Sequence, residues 1–255
     1  MQLEILLSRE YFQVMFNVTI LKAGADDIAK IIYEKRKGFL YISSLVIFKK
    51  DSEVLRRVLK EFLQKFSGYK VWIRAREEVF IKSLLRGLGF ELKGYTYIMR
   101  TELPSQLRYE GRLKFKRVSL KEIDLFIRLH DTIFIENPYP SPLNPILRPI
   151  RLEEAIILVR DNYSYYVYLG EELVGLLALS LQGSKGVISV VGVLPEYRGK
   201  GIGKEIMLFA LSKLKDFGVK VVELGVDAQN IPAVKLYEKL GFKVVARYAV
   251  YSKSM

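Results

Sequence analysis

Two stretches of this 255-residue chain repeat one pattern at an offset of 152. LLRGLGFELKGYTYIMR at 84–100 aligns without a gap on LYEKLGFKVVARYAVYS at 236–252. Each reads as the last turns of a helix, a Leu-Gly-Phe stop and a strand. Gly takes the left-handed position just past a helix, and the apolar residue beyond it closes the end. The pattern extends upstream. YKVWIRA (69–75) leads into a helix from about Glu77, as VKVVELGVDA (219–228) leads into one from about Ile231. Earlier still, FLYISSLVIF (39–48) and the amphipathic SEVLRRVLKEFLQKF parallel VISVVGVLP (187–195) and GKEIMLFALSKLKDF. Strand, helix, strand, helix, strand predicts an α/β architecture with crossover helices on the faces of a sheet.

The two halves are unequal. TELPSQLRYEG (101–111) is polar, holds Pro104 and Gly111, and reads as a connection. The expected division is a first domain over 1–104, a linker over 105–111 and a second domain over 112–255. The second half opens with a strand, RLKFKRVSL, and a helix, KEIDLFIRLHDTIF. Five of the eight prolines then fall in NPYPSPLNPILRP (137–149), which excludes helix and central strand and predicts a stiff loop. A helix, LEEAIILVRD, and a hairpin, YSYYVYLG-EE-LVGLLALSL, follow. The first half has only about 40 residues ahead of its matching strand, so it reads as a truncated copy.

Composition removes several function classes. Zero cysteines exclude a disulfide scaffold, a thiolate metal site and a Cys nucleophile. The single histidine, His130, excludes multi-histidine zinc chemistry and argues against a Ser-His-Asp hydrolase. No metal is expected. No apolar run approaches the roughly 18–20 residues of a membrane span. MQLEILLSRE places acids and Arg9 where a secretory signal needs a basic start, so a soluble cytoplasmic protein is expected. Zero Cys, six Gln and abundant Lys, Glu and Ile suit a heat-adapted source. The net charge of +13 is spread over both halves, without a stripe of Lys/Arg interleaved with aromatics. It reads as a solvated surface, and nucleic acid is not an expected partner.

The stretch that carries chemistry is VVGVLPEYRGKGIGKEIM, 190–207. A strand runs into Pro195, then R-G-K-G-I-G at 198–203, then a long helix. Glycines at alternate positions permit a tight loop whose N–H groups share one concavity at the positive end of a helix, an anion site to which Arg198 and Lys204 add charge. It lacks the G-K-[ST] ending of a Walker loop and the G-x-G-x-x-G spacing of a dinucleotide fingerprint.

V-x-x-x-Y-R-G-x-G-I-G, a strand, and then D-A-Q-N-I-P-A-V-K-L-Y-E-K-L-G-F resembles the GCN5-related N-acetyltransferase (GNAT) superfamily, in order and spacing over essentially all of 112–255. The resemblance implies a mixed sheet splayed at its centre, flanked by helices, in two tandem GNAT-like domains, and acetyl-CoA as co-substrate. It implies that the pantetheine arm pairs with Val191, Gly192 and Val193, and that the pyrophosphate sits on the N–H groups of Gly199, Lys200, Gly201, Ile202, Gly203 and Lys204. Val193 N–H becomes the oxyanion donor. Asn230 matches the residue that holds the cofactor arm, and it also suits a helix N-cap before Ile231-Pro232. Tyr237 matches the family's general acid, a phenol able to protonate the departing thiolate.

Departures from the family pattern are equally legible. Where protein N-terminal and ribosomal-protein acetyltransferases of that family usually place a general-base Glu this chain has Gly225, and the nearest candidate on that strand face is Glu223, roughly 7 Å along it. The loop 137–149 with Tyr139, and the end segment with Tyr248 and Tyr251, are expected to line the acceptor groove. In the first half Leu85 stands opposite Tyr237, Glu78 opposite Asn230, and K-K-D-S-E-V replaces the glycine loop, so that half reads as catalytically dead. The expected activity is acetyl transfer to a primary amine. The rival is a non-catalytic CoA-binding regulator or an adaptor on RNA or ribosomes.

Overall fold

The computed structural model describes residues 17–104, 106–135, 149–160 and 162–255. Two compact units divide the chain, one comprising residues up to Tyr97 with Ala246–Met255, the other Ile98–Val245. The division does not fall at 105–111. It falls twice, within the strands β5 (Glu91–Glu102) and β11 (Lys243–Ser254), each of which begins in one unit and ends in the other.

The first unit has the strand order β1-β2-β3-β4-β11-β5. β1 (Asn17–Ala23) and β2 (Asp26–Arg36) form a hairpin over Gly24, and β2 returns through Gly38 into β3 (Phe39–Ile47). β3 pairs in parallel with β4 (Lys70–Arg76), and β11 lies antiparallel on β4. The crossover helix α1 (Ser52–Gln64) begins at Asp51, whose carboxylate accepts from the N–H groups of Glu53 and Val54 at 3.0 Å. Its Leu55, Val58, Leu59, Phe62 and Leu63 recur at helical spacing and are buried. α2 (Val79–Gly87) covers the same core, two residues later than the expected start.

The second unit runs β5-β10-β9-β8-β7-β6. Its strands β6 (Leu113–Arg117), β7 (Tyr163–Leu169), β8 (Glu172–Gln182) and β9 (Lys185–Val193) are joined antiparallel, and β9 pairs in parallel with β10 (Val221–Asp227). Strand alternation sorts the helices onto two faces. Tyr166 belongs to the cluster of α3 (Ile123–Ile135) and α4 (Leu152–Arg160), with its hydroxyl donating to Glu122 O at 2.8 Å. Its neighbour Tyr165 points the other way, edge-on to Phe209 of α5 (Ile202–Asp216). Residues 107–112 pack on α5 rather than hanging free. Arg112 bonds Glu205, and the Tyr109 ring meets Phe209. The fold is mixed α/β, with a splayed sheet flanked by helices.

Both Leu-Gly-Phe stops share one hydrogen-bond pattern. Phe90 N donates to Leu85 O and Phe242 N to Tyr237 O, each at 3.0 Å, across Gly89 (φ 81°) and Gly241 (φ 86°). The second ends α6 (Ile231–Lys239). A left-handed Gly followed by a bond back to the last helical turn is the Schellman closure.

Candidate active site

β9 and β10 pair only from Lys185↔Val221 to Ile188↔Leu224. On its other edge β9 stays paired with β8 as far as Val193↔Gly175, with a register shift between Ala178 and Leu179 that leaves Ser189 as the extra residue. A bulge bends its strand and raises the local twist. This one sits immediately after the last residue held by β10, so the two strands part from Ser189 and Gly225 onward.

Register fixes which groups face the gap. Leu194 N donates to Val174 O at 3.0 Å. In an antiparallel ladder the next opposed residues, Val193 and Gly175, are then a non-hydrogen-bonded pair, as are Val191 and Leu177. Val191 and Val193 therefore turn their N–H and C=O groups away from β8, into the gap. Gly192 faces the other way. A Cβ on it would lie 2.6 Å from Ile133 Cγ2, and a Cβ on Gly175 would overlap Gly192 O. Close helix packing and close strand approach both require glycine here.

Beyond β9 a 3-10 turn, Pro195–Tyr197, leads to the glycine loop. Gly199 (φ 76°) and Gly201 (φ 80°) take left-handed conformations, and Gly201 is the N-cap of α5, with no side-chain cap. Lys204 and Glu205 are the first N–H groups closed back, onto Gly201 O. The N–H groups of Ile202 and Gly203 point out of the helix end, where partial positive charge concentrates. Lys200 and Lys204 are exposed beside it. Arg198 is placed differently, since its guanidinium donates to Val193 O (3.1 Å) and Ile133 O (2.9 Å) and ties the loop to β9 and α3. A Cβ on Gly203 would lie 3.6 Å from Leu236 and 3.9 Å from Val193, so the start of α5 sits between the end of β9 and α6.

Asn230 caps α6, its Oδ1 accepting from Ala233 N at 3.3 Å. Tyr237 lies two turns along, 8% exposed, with its ring 6.0 Å from Phe242. Burial pushes its phenol up to about 12, so it is protonated throughout the physiological range.

Glu223 sits where β9 and β10 are still paired, opposite Val187, before the gap opens. Its Oε1 accepts from Arg100 Nε at 2.7 Å and from Lys185 Nζ at 3.3 Å. The carboxylate is thus committed to two cations that sequence reasoning did not connect to it. Asp227 Oδ1 caps Gln229 N at 3.0 Å. His130 pairs with Asp131 at 3.1 Å and packs on Phe134, a structural placement. Tyr139 lies outside the described residues. Tyr248 and Tyr251 both belong to the first unit. Tyr248 opposes Arg76, and Tyr251 opposes Ile73 in that unit's core. Among the described residues no cluster of three or more His, Cys, Asp or Glu could hold a metal ion, and no helix is long and apolar enough to cross a membrane.

Residues 128–242 match the acetyltransferase (GNAT) family model. A mycothiol acetyltransferase of Corynebacterium glutamicum is 37% identical over 95 residues, covering 37% of this chain and 32% of that one. Another, from Pseudarthrobacter chlorophenolicus, is 49% identical over 193 residues, covering 69% and 58%. The chain thus spans about a third to three fifths of the length of these two relatives. A GCN5-related N-acetyltransferase from Sphaerobacter thermophilus superposes with a TM-score of 0.69 at 16% identity, over 90% of this chain and 78% of that one. A tandem GNAT protein from the clavulanic acid biosynthesis pathway gives 0.64 at 12% identity, over 91% and 80%. At such identities the likeness is one of fold. The family match lies over the splayed strands, the glycine loop and α6, so residues 128–242 of this chain resemble a GNAT acetyltransferase domain.

Proposed function

We propose that the second unit transfers an acetyl group from acetyl-CoA to a primary amine by direct attack. The observation that carries this reading is the conjunction of a gap edged by the N–H groups of Val191 and Val193 with a side-chain-free helix N-terminus at Gly201. That geometry fits an extended amide arm ending in a diphosphate. The Val191–Val193 edge would hold the arm, Gly199 to Lys204 the diphosphate, and acetyl-CoA supplies the activated thioester. Asn230 Oδ1 caps α6 through Ala233 N and would hold the cofactor arm from there.

The chemistry asked of the chain is modest. The amine nitrogen forms a bond to the thioester carbonyl carbon, the carbon–sulfur bond breaks, and the developing oxyanion is stabilised by Val193 N–H. The Tyr237 hydroxyl gives its proton to the leaving thiolate, and the ammonium proton passes to water. With Gly225 where the family has Glu, and Glu223 committed to Arg100 and Lys185, we assign the base to water reached from the gap; the alternative base is Glu223 acting through that water. The relatives' name puts a mycothiol-type amine among the acceptors to be tried, beside peptide amines and small amines.

Gly225 also favours a second reading, a CoA-binding module without turnover. Thiol release from acetyl-CoA over an acceptor panel separates the two. Release abolished by Gly201→Glu supports transfer, whereas CoA binding without release from any acceptor supports the binding module.

A further inference from the structure

The first unit repeats the bulge and the splay but not the glycine loop. β3 pairs with β4 only from Phe39↔Lys70 to Ile42↔Ile73. The β2–β3 ladder shifts register so that Ser43 is the extra residue, directly after Ile42, as Ser189 directly follows Ile188. The strands part there, and between them lies a cavity of about 390 Å³.

Its anionic-ligand character rests on a buried cation. Arg74 lines the cavity, is 6% exposed, and donates through Nε to Thr96 Oγ1 at 2.9 Å. Its guanidinium lies 4.0 Å from the Tyr248 ring centroid. Among the described residues Nη1 is buried without a hydrogen-bond partner and Arg74 has no carboxylate within ion-pair distance. A buried guanidinium nitrogen left unpaired is expensive unless something absent from the chain completes it. Lys50 and Arg76 line the same cavity, with Ser43 and Ser44 as hydroxyls. One carboxylate, Glu78, is also present, 3.6 Å from Lys50. Three cations against one anion leave an excess of two, and apart from the Tyr248 ring the remaining walls are aliphatic. Two residues from Arg74 on the same strand face, Trp72 likewise buries its indole N–H without an acceptor among the described residues.

The cavity is unsuited to a diphosphate laid on a helix start, because Asp51 already caps α1 with its own carboxylate. We propose that the first unit binds a small organic anion in this gap, a carboxylate or phosphate group on a short apolar body, with the Arg74 guanidinium as its central donor and Lys50 and Arg76 as the electrostatic rim.

Trp72 is the only tryptophan of the chain, so its emission reports on this strand. The full-length protein is titrated with hexanoate, with inorganic phosphate and with coenzyme A, following Trp72 fluorescence and heat. Saturable binding of hexanoate or phosphate is expected, the stronger of the two identifying the head group. Arg74→Met should weaken it by about tenfold or more. Since Arg74→Met could also perturb folding, Lys50→Met/Arg76→Met, both at exposed positions, provides the second test. It should weaken binding about threefold and flatten its salt dependence. Three results overturn the proposal: no saturable response to hexanoate or phosphate, binding unchanged in both variants, or one-for-one displacement of the anion by coenzyme A.

Discussion

Replacing Tyr237 by Phe removes one hydroxyl from a side chain that is 8% exposed, and leaves the ring against Phe242. Positioned general acids contribute roughly 10²–10⁴ in rate. A loss of about 10² to 10³ in kcat is therefore expected, about 3–4 kcal/mol at 1.36 kcal/mol per decade. The KM for acetyl-CoA should hold, since the Val191–Val193 edge and the helix N-terminus are untouched. The phenol lies at about 12 in the fold, above its ordinary value of 10, through burial alone. Its stabilising share is thus complete below pH 10 and is lost as pH rises through about 12, an upper limit of about 3 kcal/mol for two pH units. Initial rates of thiol release at saturating acetyl-CoA, from pH 6 to 9.5, should show no alkaline limb from this group. Alkaline unfolding of the variant should lose that share of its pH dependence. A variant within threefold of wild type, or a wild-type rate falling with an apparent value between 8 and 9.5 that the variant lacks, would refute the reasoning.

Other consequences follow from the same geometry. Gly175→Ala sets a Cβ into Gly192 O, a backbone atom no rotamer can move, so a loss of about 2 kcal/mol or more should appear in denaturant titration. Glu223→Gln leaves Arg100 and Lys185 facing a neutral amide. Because Arg100 is partly exposed, about 1–2 kcal/mol of stability should go, while the acidic limb of kcat stays in place if water is the base. A shift of that limb would identify Glu223 as the base instead. Asp51→Ala removes the cap of α1 and should lower stability by about 1 kcal/mol without changing thiol release.

Much of the fold was legible where local chemistry decides it. The Leu-Gly-Phe stops, the Asn230 cap and the left-handed glycines of the loop are short-range devices, and they lie within a residue or two of their expected places. The strand exchange was not legible. Alternation in RYAVYSKSM says that a strand forms and which residues share a face, but not which sheet receives it. From sequence Tyr248 and Tyr251 are assigned to the second half, whereas β11 carries them onto β4 of the first unit. The bulges at Ser43 and Ser189 are likewise properties of register between two strands, invisible in either strand alone, though an Ile-Ser pair precedes both gaps. The β1–β2 hairpin carries a weaker signal, two β-branched-rich runs on either side of Gly24 without clean alternation. Glu223 illustrates the remaining limit. Its position on the strand was readable, but its partners Arg100 and Lys185 are 123 and 38 residues away.

The division of labour between the two units is tested most directly by calorimetric titration of the full-length protein with coenzyme A. One site per chain is expected, present in wild type and in Arg74→Met and lost in Gly201→Glu, which adds a side chain at φ 80° and a negative charge to the helix start. Two sites per chain, or one that survives Gly201→Glu, would contradict placement of the cofactor at the second unit's glycine loop.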